Sequence, residues 1–304
     1  MINRLILKSA TEAKNEIAKK QYKEIAQLYK DWSKEVGQLA ESYKVYAGEI
    51  SILENMRLKY LEKQLEEMSK AVSQKVENKI KKNIYIVSDA VISANNEWLK
   101  ELGLIKNSAE IALSSVPNEI VEKLVSGKIY KSGWSLSQRI WSDNNALLKD
   151  VYTIVAKGVA QNTSIYAIAK ELEAYVSPNA KKQWNYIDRD GAILYKRQVD
   201  YNAQRLARTL IQHSYQQSVV EATEKNPFVK YYIWRANGSR VCPLCKSMDG
   251  NRYKKDELPL DHPNGMCTID IDIDDNINDR LIKWVNAPTG TYKDIDNFAS
   301  AIMR

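Results

Sequence analysis

The chain has 304 residues, enough for about two domains, and its 44% apolar and 27% charged side chains are those of a globular protein, which excludes wholesale disorder. Lys and Arg number 45 against 38 Asp and Glu, a formal net charge of +7, so contact with a polyanion is a natural expectation, though a Lys-rich composition alone gives the same balance. No apolar run approaches the roughly 18 residues of a membrane span, and Met1–Ala10 lacks the apolar stretch of a secretory signal, so a soluble chain made in a cytosol, with no membrane partner, is expected.

Residues 9–47 carry Ile17, Tyr22, Ile25, Tyr29, Trp32 and Val36 at helical spacing. This predicts one long helix, capped by Ser9 or Thr11 and broken at Gly48. A second helix is predicted from Glu49 to Lys82. In it Leu58, Leu61, Leu65, Met68 and Val72 follow the 3-4-3-4 spacing of a coiled-coil seam, passing to 4-4 through Val76 and Ile80. A third covers Ile84–Leu102 and stops at Gly103. The seam is either intramolecular packing or a surface for another chain.

Val116-Pro117 marks a boundary. Shorter helices follow at Pro117–Val125 and Ser135–Val159, then a capped helical segment within Asn162–Leu172. A long helix is predicted over Ala192–Glu224. On it Arg197, Arg205 and Arg208 fall within about 60° of one another at 100° per residue, and Lys196 lies beside them. An Arg row on a rigid helix suits phosphate oxygens, because each guanidinium donates two bonds at once, and it equally suits pairing with nearby carboxylates. His213 on the same helix has no evident partner in the sequence. From Asn226-Pro227 the period changes. Phe228–Arg235 reads as a strand and Thr268–Ile273 as a second, with its aspartates on a wet face. One amphipathic patch, Arg280–Val285, and a turn at Pro288–Gly290 complete the chain. The fold class expected is mostly α, with an N-terminal long-helix bundle (1–112), a central helical region (113–225) and a small zinc-stapled α+β module (226–304).

All three cysteines fall between positions 242 and 267, with one of the two histidines. Cys242 and Cys245 form C-x2-C, and His262 and Cys267 form H-x4-C sixteen residues on. Two tight pairs of soft or borderline donors across such a loop fit tetrahedral zinc, and four protein ligands close the shell as in a structural site. A redox dithiol at Cys242 and Cys245 leaves the other two residues unexplained. The pair Asp261-His262 resembles a His-centred metal nuclease, but a histidine bound to zinc is no general base. The aspartates Asp270, Asp272 and Asp274 fail as a calcium loop, because Asp275 stands where Gly is needed and Leu281 where an acid is needed. No catalytic residue is assigned, and no enzyme is expected.

The order of features resembles the minor head, or head-morphogenesis, proteins of tailed bacteriophages, the phage Mu F-like group. The matching stretch runs from about Val116 to Asp275. It includes Trp134, Arg139-Ile140-Trp141, Asn162–Leu172, Arg205–Thr209, Tyr215, Ile233–Ala236, Arg240–Cys245, Asp249-Gly250 and His262-Pro263-Asn264. One departure is plain: the family carries H-P-x-C-R-C, and here Gly265 and Met266 fill the places of the first of those cysteines and the arginine. The resemblance implies a virion protein of few copies in the head interior, made in the host cytoplasm and engaged in procapsid assembly and in DNA packaging or ejection. Its implied partners are the portal, capsid or scaffolding proteins, and double-stranded DNA bound without sequence preference. The N-terminal helices lie outside the match, which leaves portal or capsid docking to them, through the seam Leu58–Val72. They are then expected to be separable from the metal module. The alternative is a zinc-dependent DNA-binding or nuclease module.

Overall fold

The computed structural model describes residues 6–44, 52–104, 115–161, 167, 184–187, 193–197, 201–237 and 241–302. Helix α1 is Lys8–Lys44. Helix α2, Ile52–Glu101, is one element of 50 residues and not the two expected on either side of Asn83. Lys82-Asn83-Ile84 contains neither Gly nor Pro, and Ile80, Ile84 and Val87 carry a fully buried apolar stripe through the junction. Termination comes at Gly103, as the sequence indicates: its φ is 71°, and the amide of Leu104 reaches the Leu99 carbonyl at 3.0 Å. Nothing lies within 4 Å of a Cβ placed at Gly103. Gly103→Ala therefore isolates the left-handed backbone, and it is expected to lower stability by about 1–2 kcal/mol, read as a shift in the denaturation midpoint.

The chain forms two units. One gathers residues 1–18, 81–129 and 208–304, and the other gathers 19–80 and 130–207. Both are discontinuous, unlike the division at 112 and 225 expected from sequence, because helices distant in the chain share cores.

In the unit of 19–80 and 130–207, Ile25, Tyr29, Trp32 and Val36 of α1 and Leu61, Leu65, Val72 and Val76 of α2 are buried. Glu24 and Lys79 join the two helices at 3.3 Å. Helix α4, Leu136–Ala160, buries Leu136, Ile140, Val151 and Val155 in this unit, and Ser137 donates to Glu77 at 2.6 Å. The strands β1, Trp184–Ile187, and β2, Ile193–Arg197, pair antiparallel, with Tyr186 opposite Tyr195 and Trp184 opposite Arg197. This corrects the helix expected from Ala192. Aromatic and β-branched residues at Trp184, Tyr186, Ile187, Ile193 and Tyr195 favour strands, and helix α5 starts only at Tyr201 and runs to Thr223. The Asn162–Leu172 segment lies outside the described residues, apart from helical Ala167.

The other unit has one continuous apolar core. Leu7 and Ala10 of the first turns, Val87, Val91, Trp98 and Leu99 of α2, and Ile211, Tyr215 and Val219 of α5 meet a sheet in it. Helix α3, Val116–Ser126, belongs to this unit and ends at left-handed Gly127. Its Lys123 pairs with Glu221 at 2.6 Å. The sheet is antiparallel and three-stranded, in the order β4 (Arg252–Tyr253), β3 (Val229–Arg235), β5 (Thr268–Ile273). Strand β5 sends Ile269, Ile271 and Ile273 into the core. Its aspartates are half-buried and paired rather than simply wet: Arg235 holds Asp270 at 2.6 Å and Arg252 holds Asp272 at 3.4 Å. The tail contains two helices where one amphipathic patch was expected. After the short helix α6, Pro243–Met248, these are α7, Ile277–Asn286, and α8, Lys293–Ile302. The i, i+3, i+4 set Ile295, Phe298 and Ala299 buries α8, and the Trp284 indole donates to Asp296 at 2.7 Å.

Candidate metal centre

The expected ligands meet at one end of this sheet. Pro243 opens the short helix α6, Pro243–Met248, whose cap is Cys242. The Cys242 Sγ accepts the Cys245 amide at 3.3 Å, so the first turn of α6 brings the two thiols together. On the second loop, the Gly265 amide bonds the His262 carbonyl at 2.8 Å and Asn264 takes a φ of 66°, which folds H-x4-C into a tight knuckle. Cys242, Cys245 and His262 form one set whose donor atoms all lie within 4.8 Å of one another, and Cys245, Asp261 and Cys267 form another. The four residues expected to bind metal are thus one cluster that could hold an ion.

The donors fit such an ion. Ligands at about 2.3 Å (S) and 2.0 Å (N) on a tetrahedron stand about 3.5 Å apart, and the Cys242 Sγ is 3.3 Å from His262 Nε2. The His262 Nδ1 lies 3.0 Å from the Pro263 carbonyl. A carbonyl only accepts, so Nδ1 donates there, which leaves Nε2, on the Cys242 side, as the ring atom that could coordinate an ion. That hydrogen bond to Pro263 raises the His262 pKa, and the Cys245 amide lowers that of the Cys242 thiol. Burial pushes the Cys245 thiol up. A coordinated cation is what would reconcile three thiolates in this place. Trp234 covers the buried thiols of Cys245 and Cys267 from the sheet.

Sequence reasoning missed the groups that hold the second loop. One face of α5 reads its backbone. Thr209 Oγ1 accepts the Asn264 amide at 3.1 Å, and Gln216 Oε1 accepts the Asp261 amide at 2.9 Å. Gln212 donates to the Cys267 carbonyl at 2.5 Å, and His213 Nε2 donates to the Asp261 carbonyl at 2.8 Å. His213, without a partner in sequence terms, is therefore a buried structural donor. Lys14 of α1 is only 2% exposed and donates to Gln212 at 2.9 Å and to the Cys267 carbonyl at 3.4 Å. Burial brings its pKa down to about 8, against the opposing attraction of Asp261 and Cys267. The signal that could have found this face is the run 209, 212, 213, 216, a polar i, i+3, i+4, i+7 stripe on an otherwise core-facing helix.

The remaining candidate sites are dispersed. Arg197 and Lys196 belong to β2, so no single-helix row of Arg197, Arg205 and Arg208 exists; Arg205, exposed, and Arg208, half-buried, share α5. In the seam, Leu61, Leu65 and Val72 are buried in the chain's own packing and Met68 is half-buried, so the intramolecular alternative accounts for them. The side chain of Leu58 lies outside the described residues. No helix among the described residues is long and apolar enough to cross a membrane. No family model, curated protein or solved structure matches the chain.

Proposed function

We propose that the chain is a minor head protein of a tailed bacteriophage, in which Cys242, Cys245, His262 and Cys267 hold a structural zinc ion. The observation that supports the reading is the gathering of those four donors into one cluster that could hold an ion. Three sulfurs and one nitrogen suit zinc, and four protein donors leave no position for substrate. When bound, the ion would cross-link the α6 turn to the β5 loop. His262 Nε2 faces the Cys242 sulfur at 3.3 Å, which favours a ligand over the general base of the nuclease alternative. On this reading the protein lies in the head interior, contacts portal and capsid or scaffolding proteins, and touches packaged DNA through exposed cations such as Arg205.

Mass spectrometry of purified virions, combined with portal co-purification, tests the assembly role. The chain is expected in few copies per particle and bound to portal. Its absence from virions sinks the proposal. Elemental analysis of chain purified without chelator is expected to give about one zinc. Duplex DNA should be retarded at low salt without sequence preference, and less so as salt rises, because phosphate contact releases counterions. Cleavage of that DNA with added divalent metal would favour the nuclease alternative.

A further inference from the structure

Asp261 precedes the ligand His262 and is 3% exposed. Its carboxylate spans the second loop. Oδ1 accepts the His262 amide at 2.8 Å, and Oδ2 accepts the Cys267 amide at 3.1 Å. One rigid group thus fixes the backbones of both ligands in that loop. The same carboxylate fills the space beside Gly265: a Cβ there would stand 2.1 Å from Asp261 Cγ and both carboxylate oxygens would be as close. Gly265 is not in the left-handed region, so its backbone tolerates a side chain, and the nearest obstacle to one is the carboxylate. Oδ1 also accepts from Cys245 Sγ at 3.9 Å, and Asp261 falls in one donor set with Cys245 and Cys267, so the carboxylate borders the ligand cluster directly.

We propose that Asp261 is a positioning residue of the metal centre: by accepting the amides of His262 and Cys267 it sets the loop so that both side chains meet the ion, and Gly265 is the residue that makes room for it. The inference rests on the zinc reading above. Charge alone is not what is needed. Both oxygens must accept, and an amide side chain offers one acceptor and turns a donor toward the other N–H. Outer-shell groups of this kind are worth about tenfold to a hundredfold in metal affinity.

The test measures zinc and cobalt(II) affinity of the full chain by competition with a chromophoric chelator, and the absorption of the cobalt form. Asp261→Asn is expected to weaken both ions about tenfold to a hundredfold while keeping the wild-type thiolate-to-cobalt band. Gly265→Ala, which keeps the carboxylate but displaces it, should weaken binding in the same way, and is read in place of Asp261→Asn if that variant does not fold. In an Asp261→Ala background, Gly265→Ala should cost little more. Equal cost in the two backgrounds shows that the carboxylate is not the obstacle, and the inference falls. Wild-type affinity in both Asp261→Asn and Gly265→Ala overturns it, as does an altered cobalt band, which would make Asp261 a ligand. A wild-type chain that takes up neither ion overturns the zinc reading and this inference together.

Discussion

Chelation at neutral pH is expected to unfold the whole unit built from residues 1–18, 81–129 and 208–304, not the sheet alone. Structural zinc contributes about 10–16 kcal/mol of apparent binding free energy at pH 7, as much as the entire stability of an ordinary domain, about 5–15 kcal/mol. The loop that carries His262 and Cys267 is also tied to α5 through Thr209, Gln212, His213 and Gln216 and to α1 through Lys14, so its release orphans buried polar groups on both helices. Each such group costs about 1–3 kcal/mol when left without a partner. Cys245→Ser should reproduce the effect at full metal supply, since the two donor sets of the cluster share Cys245. Hydrogen exchange is the measurement. On chelation, protection should fall at Leu7–Ala10, Val87–Leu99 and Ile211–Val219 together with the sheet, because these segments line one core. A melting curve and exchange pattern indifferent to chelator would remove zinc from the account of stability.

The sequence expectation is that the N-terminal helices are separable from the metal module, whereas Leu7, Ala10, Val87, Val91, Trp98 and Leu99 line one core with the sheet. The ligands themselves were legible, because paired donors at short spacing carry their chemistry in the residue types. The apparatus around them was not. Gln212, His213 and Gln216 act on backbone atoms of the second loop, and a backbone acceptor has no residue type to recognise. Lys14 lies 253 positions from Cys267, beyond any local pattern. Across β2 the 3.6 period of Arg197, Arg205 and Arg208 mimics a helix, while Asp190-Gly191 between two aromatic, β-branched runs is the competing hairpin signal. A side chain at position 265 requires the space that the Asp261 carboxylate occupies, so Gly265 and Asp261 belong together.

Removing residues 1–102 is expected to abolish both folding and metal retention in what remains. Leu7, Ala10, Val87, Val91, Trp98 and Leu99 are at most 5% exposed and line the same core as Ile269 and Ile271. At about 1.5–3 kcal/mol for each large apolar side chain buried, their loss removes on the order of 10 kcal/mol from a unit that has little more than that in total. The truncated chain should bind dye as an exposed core does, lack cooperative melting and release zinc. Wild-type zinc affinity in the truncated chain would show that the metal module folds alone and would return the helices to a separable docking role. A test of the proposed portal docking therefore needs substitutions on the outer surface of these helices, which leave the core in place. Tyr60 is 59% exposed on α2, one helix face away from the buried Leu61 and Leu65. Tyr60→Ala should leave melting and zinc content unchanged, since an exposed side chain contributes little to the fold. If the helices do dock through this face, portal co-purification should fall by about tenfold or more, the effect of losing a buried aromatic anchor at an interface. Unchanged co-purification moves the contact to another surface, because the seam of Leu61, Leu65 and Val72 is already occupied by the chain's own packing.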